Sequence, residues 1–424
     1  MLENIIQIFK IRDLRNKILF VLGAFAVFRI MANIPIPGVD PENLKIFFEQ
    51  FQIFGLLNIF TGGALDRFSI VMLGLGPYIT ATIIFQLLTM IFPQLEEMYR
   101  EEGEAGRQKF NQYCRMATVP LAGLQSYAML ALFQRQNVIG QLSLTVLLTS
   151  ILTVTAGTLF LMWLGELISE RGIGEGVSLL IFAGIAADVP NNLFQVLVNW
   201  DPSQVHSYLL FFAMAFLIIT GVVIVNEGKR NVPVSYAKRV RGRQVFGGAS
   251  TYLPLNINPA GVMPIIFALS ILLLPSMIAN FLGGAGGMVG EISQKVVQFF
   301  ENQWVYGILY FILVFCFTYF YTMITFEPQN IADNLKKMGG FVPGIRPGES
   351  TARFLSFVLN RILPFGALFL GLIAVLPSII GRVTGVMVFQ FLVGGTSLVI
   401  VVSVILETIR QINAQLQMRE YDTF

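Results

Sequence analysis

The chain has 424 residues, 55% of them hydrophobic and only 12% charged, with a mean hydropathy of +0.71 and a net charge of +3. A soluble protein of this length carries about 25% charged residues, so the composition reads as a polytopic membrane protein, and the small net charge says nothing about nucleic acid. His206 is the only histidine, which all but excludes a His-based metal site or a Ser-His-Asp triad; no G-x-x-x-x-G-K-[ST] loop occurs, and Cys114 (in a charged loop) and Cys316 (in an apolar run) are not expected to form a disulfide.

In chain order, the N-terminus "MLENIIQIFKIRDLRNK" is not a cleavable signal peptide. It places Leu2, Ile5, Ile6 and Phe9 at helical spacing and predicts an interfacial amphipathic helix. A membrane span needs ~20 mostly apolar residues. Ten stretches meet that length: 18–35, 69–92, 116–134, 142–165, 176–200, 207–225, 257–283, 304–326, 354–381 and 383–406. The fifth is interrupted by Asp188-Val189-Pro190 and the ninth contains Arg361. Ahead of the second, "LLNIFTGGALDRFS" is too short to cross a bilayer and too apolar for an ordinary loop.

Charge placement tests the count. With the N-terminus inside and the spans alternating, only Lys45, Arg67, Arg135, Lys295 and Arg382 of the 28 Lys and Arg residues fall outside, while Arg29 and Arg361 lie within spans. A bias this strong fits ten spans with both ends on the cytoplasmic side. Two inside loops are long. That at 226–256 is strongly basic, and that at 327–353 holds "NLKKMGGFVPGIRPGES", whose glycines and prolines predict a defined turn with an exposed tip. Basic loops of this size suggest docking of something acidic or large.

Within the spans, Gln86, Gln125 and Asn258 are placed to hydrogen-bond across helix interfaces. Arg29 and Arg361 lie near span ends, where they can snorkel to headgroups. No carboxylate stands at mid-depth in a clear span, which argues against a proton- or ion-coupled pump. "GIGEG" at 172–176 lacks the preceding strand of a dinucleotide fingerprint and reads as a sharp turn. "GGTS" at 394–397 puts small residues in mid-span, and Pro77, Pro264 and Pro275 predict kinks in spans two and seven.

Taken together, "FRIMANIPIPG" (28–38), "IFTGGALDRFSI" (59–70), "GPYITATIIFQLL" (76–88), "EEGEAGRQKFNQYCR" (101–115), "MWLGELISERGIGEGVSLLIFAGI" (162–185), "VPVSYAKRVRGRQV" (232–245), "NLKKMGGFVPGIRPGE" (334–349) and "GGTSLVIVVSVI" (394–405) resemble, in order and over essentially the whole chain, the bacterial SecY family of protein-conducting channels, the SecY/Sec61-alpha family. The resemblance implies an all-α fold of ten transmembrane helices in two pseudo-symmetric inverted halves around an hourglass pore. The halves would be residues 1–187 and 207–424, joined by an external hinge at 188–206. It implies a plug at about 57–69, a short helix folded back into the outer funnel, carrying Asn58, Thr61, Gly62, Gly63, Asp66 and Arg67. It implies an aliphatic pore ring of Leu75, Ile79, Val177, Ile181, Ile266 and Ile400, and a lateral gate with a polar cluster of Gln86, Gln125 and Asn258. Lys238, Arg239, Arg241, Arg243 and Arg346 would dock partners, with Arg346 the most essential; Gln244 stands where familiar members carry a second basic residue, and Glu175 where many have Asn. The implied partners are SecE and SecG subunits, the SecA ATPase motor, the ribosome, signal peptides, unfolded secretory polypeptides and membrane lipids, with no nucleic-acid substrate, no cofactor and no enzymatic activity.

Two other classes compete. A secondary solute transporter with discontinuous helices would put polar or charged ligands at mid-depth, and the chain has few. An intramembrane enzyme needs a catalytic constellation, for which one histidine and no carboxylate pair in the spans is a poor basis.

Overall fold

The computed structural model describes residues 11–36, 58, 61–100, 103–135, 138–140, 143–198, 205–236, 239–241, 244–246, 250–282, 288–384 and 395–422. The predicted amphipathic helix before residue 10 lies outside them. Among the described residues the helices are α1 (Arg12–Ala32), α2 (Gly76–Ile91), α3 (Pro93–Arg100), α4 (Gly103–Arg135), α5 (Leu144–Arg171), α6 (Gly176–Val198), α7 (Val205–Glu227), α8 (Met263–Leu282), α9 (Met288–Glu301), α10 (Gln303–Thr325), α11 (Pro328–Lys337), α12 (Glu349–Thr384) and α13 (Gly395–Asp422). Six of these stretches are long and apolar enough to cross a membrane, seven if the bent pair α2–α3 counts as one span. Their outward faces are apolar: on α7, Leu209, Phe212, Phe216, Leu217 and Ile224 are all exposed, the pattern expected where the solvent is lipid.

Local chemistry sets the helix ends, and several differ from the predicted spans. Pro35 disfavours helical backbone at Ile34, and α1 stops at Ala32. The chain then makes a bridge in which Ile36 N–H donates to Phe68 O (2.9 Å) and Ile70 N–H to Ile34 O (3.0 Å). The second predicted span begins at 69, yet residues 69–75 run in turns and α2 starts only at Gly76. Pro77 therefore sits in the first turn of α2, and Pro264 likewise in the first turn of α8, where a missing N–H costs nothing. Neither is a kink; of the three predicted kink prolines only Pro275 lies inside its helix. At the other end of α2, Phe92 is extended and Pro93 starts α3, so the chain bends by 114°. Cys114, expected in a loop, is buried inside α4, which runs on through the charged segment before the third span. Helix α6 passes through Asp188-Val189-Pro190 to Val198, so residues 188–198 of the predicted hinge are helical; 199–204 lie outside the described residues.

Several elements were not foreseen. Three are the short helices α3, α9 and α11, of which α9 is an amphipathic helix between α8 and α10. Another is a three-stranded antiparallel sheet, a local exception to the all-α expectation. Strand β1 (Lys229–Tyr236) pairs with β4 (Ser250–Asn256) from Lys229↔Asn256 to Ser235↔Ser250, and on its other side with β5 (Gly340–Phe341). A small hairpin, β2 (Arg239–Arg241) with β3 (Gln244–Phe246), lies between β1 and β4. In β1, Val232 and Val234 alternate inward with exposed neighbours, the period-2 pattern of a half-buried strand. Because β5 comes from the 327–353 loop and β1 from the 226–256 loop, the sheet joins the two long loops into one body.

The main core is an apolar cluster drawn from α1, α2, α5, α6, α7, α8, α10, α12 and α13. The sheet has its own small core of Val232, Leu255, Val342 and Leu355.

Candidate functional site: an apolar constriction beneath a turn segment

All six predicted ring residues meet in the main core. Leu75, Ile79, Ile181, Ile266 and Ile400 are buried members of that cluster, and Val177 packs against the cluster partly buried. They come from four helices far apart in sequence. Leu75 caps α2 and its carbonyl accepts from Ile79 N–H at 3.0 Å, so the two side chains share a face; Val177 and Ile181 do the same on α6. Chemically, such a cluster offers a permeating ion no ligand, and a narrow aliphatic ring dewets.

The turn "GIGEG" explains how α6 gets close enough. Gly174 has φ 97°, and a Cβ on Gly176 would stand 1.8 Å from the Gly165 carbonyl oxygen of α5. Gly176 N–H donates to Ser169 Oγ at 2.8 Å and Ser178 Oγ to Glu175 Oε2 at 2.9 Å. Burial pushes the Glu175 carboxyl up from the ordinary carboxylate range; the Ser178 hydrogen bond opposes this and the nearby Glu407 adds to it. A carboxyl raised by folding contributes stability that is fully present below its unfolded value and is lost as pH rises through its folded value. The thermal midpoint of the purified protein is therefore expected to fall as pH rises above the ordinary carboxylate range, and Glu175→Gln to flatten that slope; an unchanged slope in the variant would remove Glu175 as its source.

The predicted plug segment joins this cluster through Ala64, while its Leu65 and Phe68 pack into a second cluster with Leu130 and Phe133 of α4. Of its described residues, Asn58 is helical, but 61–69 are a run of turns, because Gly62 (φ 66°), Gly63 (φ 72°) and Phe68 (φ 49°) adopt left-handed backbone that interrupts any α-helix; residues 57, 59 and 60 lie outside the described residues. The turns are closed by side chains. Thr61 Oγ1 donates to Asn58 O (3.1 Å) and accepts from Leu65 N–H (3.3 Å), and Asn58 Oδ1 accepts from Asp66 N–H (2.8 Å). Thr61, Ala64, Leu65 and Phe68 are buried while Asp66 is exposed. Arg29 does not snorkel to the surface as expected. Its Nη1 donates to Gly62 O at 2.6 Å and its Nη2 pairs with Asp188 Oδ1 at 3.3 Å, because α1 packs on α6 here and a guanidinium finds a better partner than headgroups. Arg67 reaches Asn33 at the end of α1. Arg361 is exposed, stacked 4.3 Å over the Phe357 ring.

The predicted lateral polar residues are dispersed: Gln86 lies on α2, Gln125 on α4 and Asn258 ahead of α8, which packs against both α2 and α4. Among the described residues no hydrogen bond joins Gln86, Gln125 and Asn258. Gln86 Oε1 and Asn258 Oδ1 are buried without a partner, which leaves a desolvation cost at each. Asn258 Nδ2 instead donates to Asn226 Oδ1 (3.0 Å) and Gly261 O (3.0 Å), and Asn226 Nδ2 to Ser403 Oγ (2.5 Å). Arg410 extends the network by pairing with Glu227 at 2.6 Å. This chain of contacts between α7 and α13 was invisible in sequence, since its members are 32 and 177 residues apart.

Of the predicted docking residues, Lys238 and Arg243 lie outside the described residues. Arg239 and Arg241 stand in β2, across from β3, which starts at Gln244. Arg346 is exposed at the tip of the 327–353 loop. Val342 and Ile345 on its near side pack into the sheet core, Gly344 (φ 83°) and Gly348 (φ 100°) make the turn, and Thr351 Oγ1 donates to the Arg346 carbonyl at 2.9 Å. The tip is thus a braced turn that presents the exposed Arg346 side chain.

A family model described as SecY matches residues 69–409. The chain belongs to the SecY family. Relatives named protein translocase subunit SecY are 43% identical in Streptomyces galbus and in Streptomyces scabiei, each match covering 100% of both chains, and 42% identical in Mycobacterium tuberculosis over 100% of both. Solved structures agree in fold. One, of a protein-conducting channel, superposes with a TM-score of 0.65 at 15% identity, covering 93% of this chain and 91% of the other. A second, on the SecY plug domain, gives 0.62 at 16% identity with the same coverage. A third, canine Sec61 in a ribosome-channel complex, gives 0.60 at 16% over the same shares. SecY membership accounts for the multi-pass apolar helices.

Proposed function

We propose that the chain is the channel-forming subunit of a protein translocase, passing unfolded secretory polypeptides across the bacterial cytoplasmic membrane and releasing signal sequences and transmembrane segments into lipid at the α2/α4–α8 seam. The observation that carries this reading is the convergence of six aliphatic side chains from α2, α6, α8 and α13 into one cluster, with the turn segment 61–69 seated against it. Ten spans cross the membrane in two halves hinged near 188–206, with both termini cytoplasmic. The ring fits loosely round any polypeptide, and the turn segment acts as the plug. At the seam, the orphaned oxygens of Gln86 and Asn258 keep the closed state from being over-stabilised, and an apolar signal segment gains by leaving for lipid in proportion to its area. The sheet-braced loops with Arg346 and the β2–β3 hairpin form the cytoplasmic docking face for the SecA motor and the ribosome; SecE and SecG are its membrane partners. The energy comes from these partners, since the chain has no P-loop.

The direct test is a photoreactive residue at Ile79 or Ile181 with a signal-bearing polypeptide stalled in export. Crosslinks to the mature part of the client are expected from both positions. Equal reaction from lipid-facing controls such as Phe216 and none from the ring would make the ring ordinary core.

A further inference from the structure

We infer that Arg29 and Asp188 form a releasable latch that holds the turn segment 61–69 in its closed seat. The inference rests on the plug reading of that segment and assigns the residues that position it. Arg29 stands in the last turn of α1 and Asp188 on α6, and one guanidinium bridges them: Nη1 donates to the Gly62 carbonyl at 2.6 Å while Nη2 pairs with Asp188 Oδ1 at 3.3 Å.

The seat is shaped for glycine. A Cβ on Gly62 would lie 2.6 Å from Gly184 Cα, and one on Gly63 would lie 3.2 Å from both Asp188 carboxylate oxygens. Gly184 and Asp188 are one turn apart on the same face of α6. Two glycines in left-handed backbone therefore lie flat on that face, and the aspartate both receives Gly63 and aims the arginine at Gly62. Arg67, from the segment itself, adds a second positive charge near Asp188.

The arrangement is built to open. When the segment leaves, Arg29 loses the Gly62 carbonyl but keeps Asp188, so no uncompensated charge is stranded. Both side chains stay partly accessible, at 27% and 21% of full exposure, so water replaces the lost hydrogen bond. The latch's own share of the cost of release is then about one charged hydrogen bond, added to the burial of Ala64, Leu65 and Phe68 that also holds the segment.

The experiment uses the full chain with its natural partners in native membranes. A reporter thiol is placed at Ala64, which is fully buried, in a background with Cys114→Ala and Cys316→Ser, and labelled with a membrane-impermeant maleimide. Arg29→Gln is expected to raise the labelling rate by about tenfold. Asp188→Asn, which leaves the arginine unaimed, should give an intermediate rise, and Arg29→Lys, which keeps the charge but offers one ammonium for two partners, should restore part of the protection. Continued export of a signal-bearing client by Arg29→Lys and Asp188→Asn shows that these variants fold. Labelling at the parent rate in both Arg29→Gln and Asp188→Asn overturns the latch. If that happens while removal of residues 62–67 still raises ion leak, the plug reading survives alone. If labelling rises in the variants but the deletion does not leak, the latch holds a segment that does not seal.

Discussion

Removal of residues 62–67 is expected to raise the resting ion conductance of proteoliposomes by about tenfold, the change produced by lowering a barrier by roughly 1.4 kcal/mol. The segment contributes buried Ala64 to the apolar cluster that holds Leu75, and buried Leu65 and Phe68 to a second cluster with Leu130 and Phe133. Its loss leaves a space bordered by Arg29 and Asp188, both polar, and a polar space of that size fills with water. A wet approach on one side shortens the dry stretch that an ion must cross to the aliphatic ring alone. Conductance is measured on the purified complex with and without the deletion, and export of a client is followed in parallel to show that the shortened chain still assembles. Unchanged conductance in an export-competent deletion refutes a sealing role for the segment.

Gly176→Val is expected to cost well above the ~1–3 kcal/mol of ordinary overpacking and to abolish monodisperse protein. The first carbon of any side chain at 176 would fall 1.8 Å from Gly165 O and 2.7 Å from Gly165 C, both backbone atoms of α5 that cannot swing away. The only relief is to part α5 from α6, which carries Val177 and Ile181 out of the cluster. Gly123→Ala is the matched control. It lies inside α4 with nothing within 4 Å of its would-be Cβ, and glycine costs a helix interior about 0.5–1 kcal/mol relative to alanine, so this variant should gain stability. The measurement is the thermal midpoint and elution profile of the two variants in detergent. A Gly176→Val protein that elutes and melts like the parent would mean that the α5–α6 crossing is not needed at this separation.

Much of this was legible one residue at a time. Composition set the class, because a chain with so little charge and so many apolar runs has no soluble solution. The run lengths placed most helices within a turn or two, and the distribution of Lys and Arg argued for an orientation with both ends on one side. Glycine and proline chemistry announced the turn at 172–176 and the tip at 344–348. The motifs along the chain marked the family, and with it the ring residues, which taken singly are ordinary aliphatic positions.

What the sequence by itself determined is therefore the period, the punctuation and the charge balance of each segment, since these depend on neighbours within a few residues. Tertiary structure decided the rest. That Leu75, Ile181, Ile266 and Ile400 form one cluster depends on four helices packing together. Arg29 could have snorkelled; it turns inward because Asp188, 159 residues away, stands one helix across. Pro77 and Pro264 look like kinks until the helix starts are known. Strand β1 is an edge in search of a partner until β5 arrives from the other loop. In each case the side chain has several local solutions of similar free energy, and the choice falls to whichever long-range neighbour removes the larger desolvation cost.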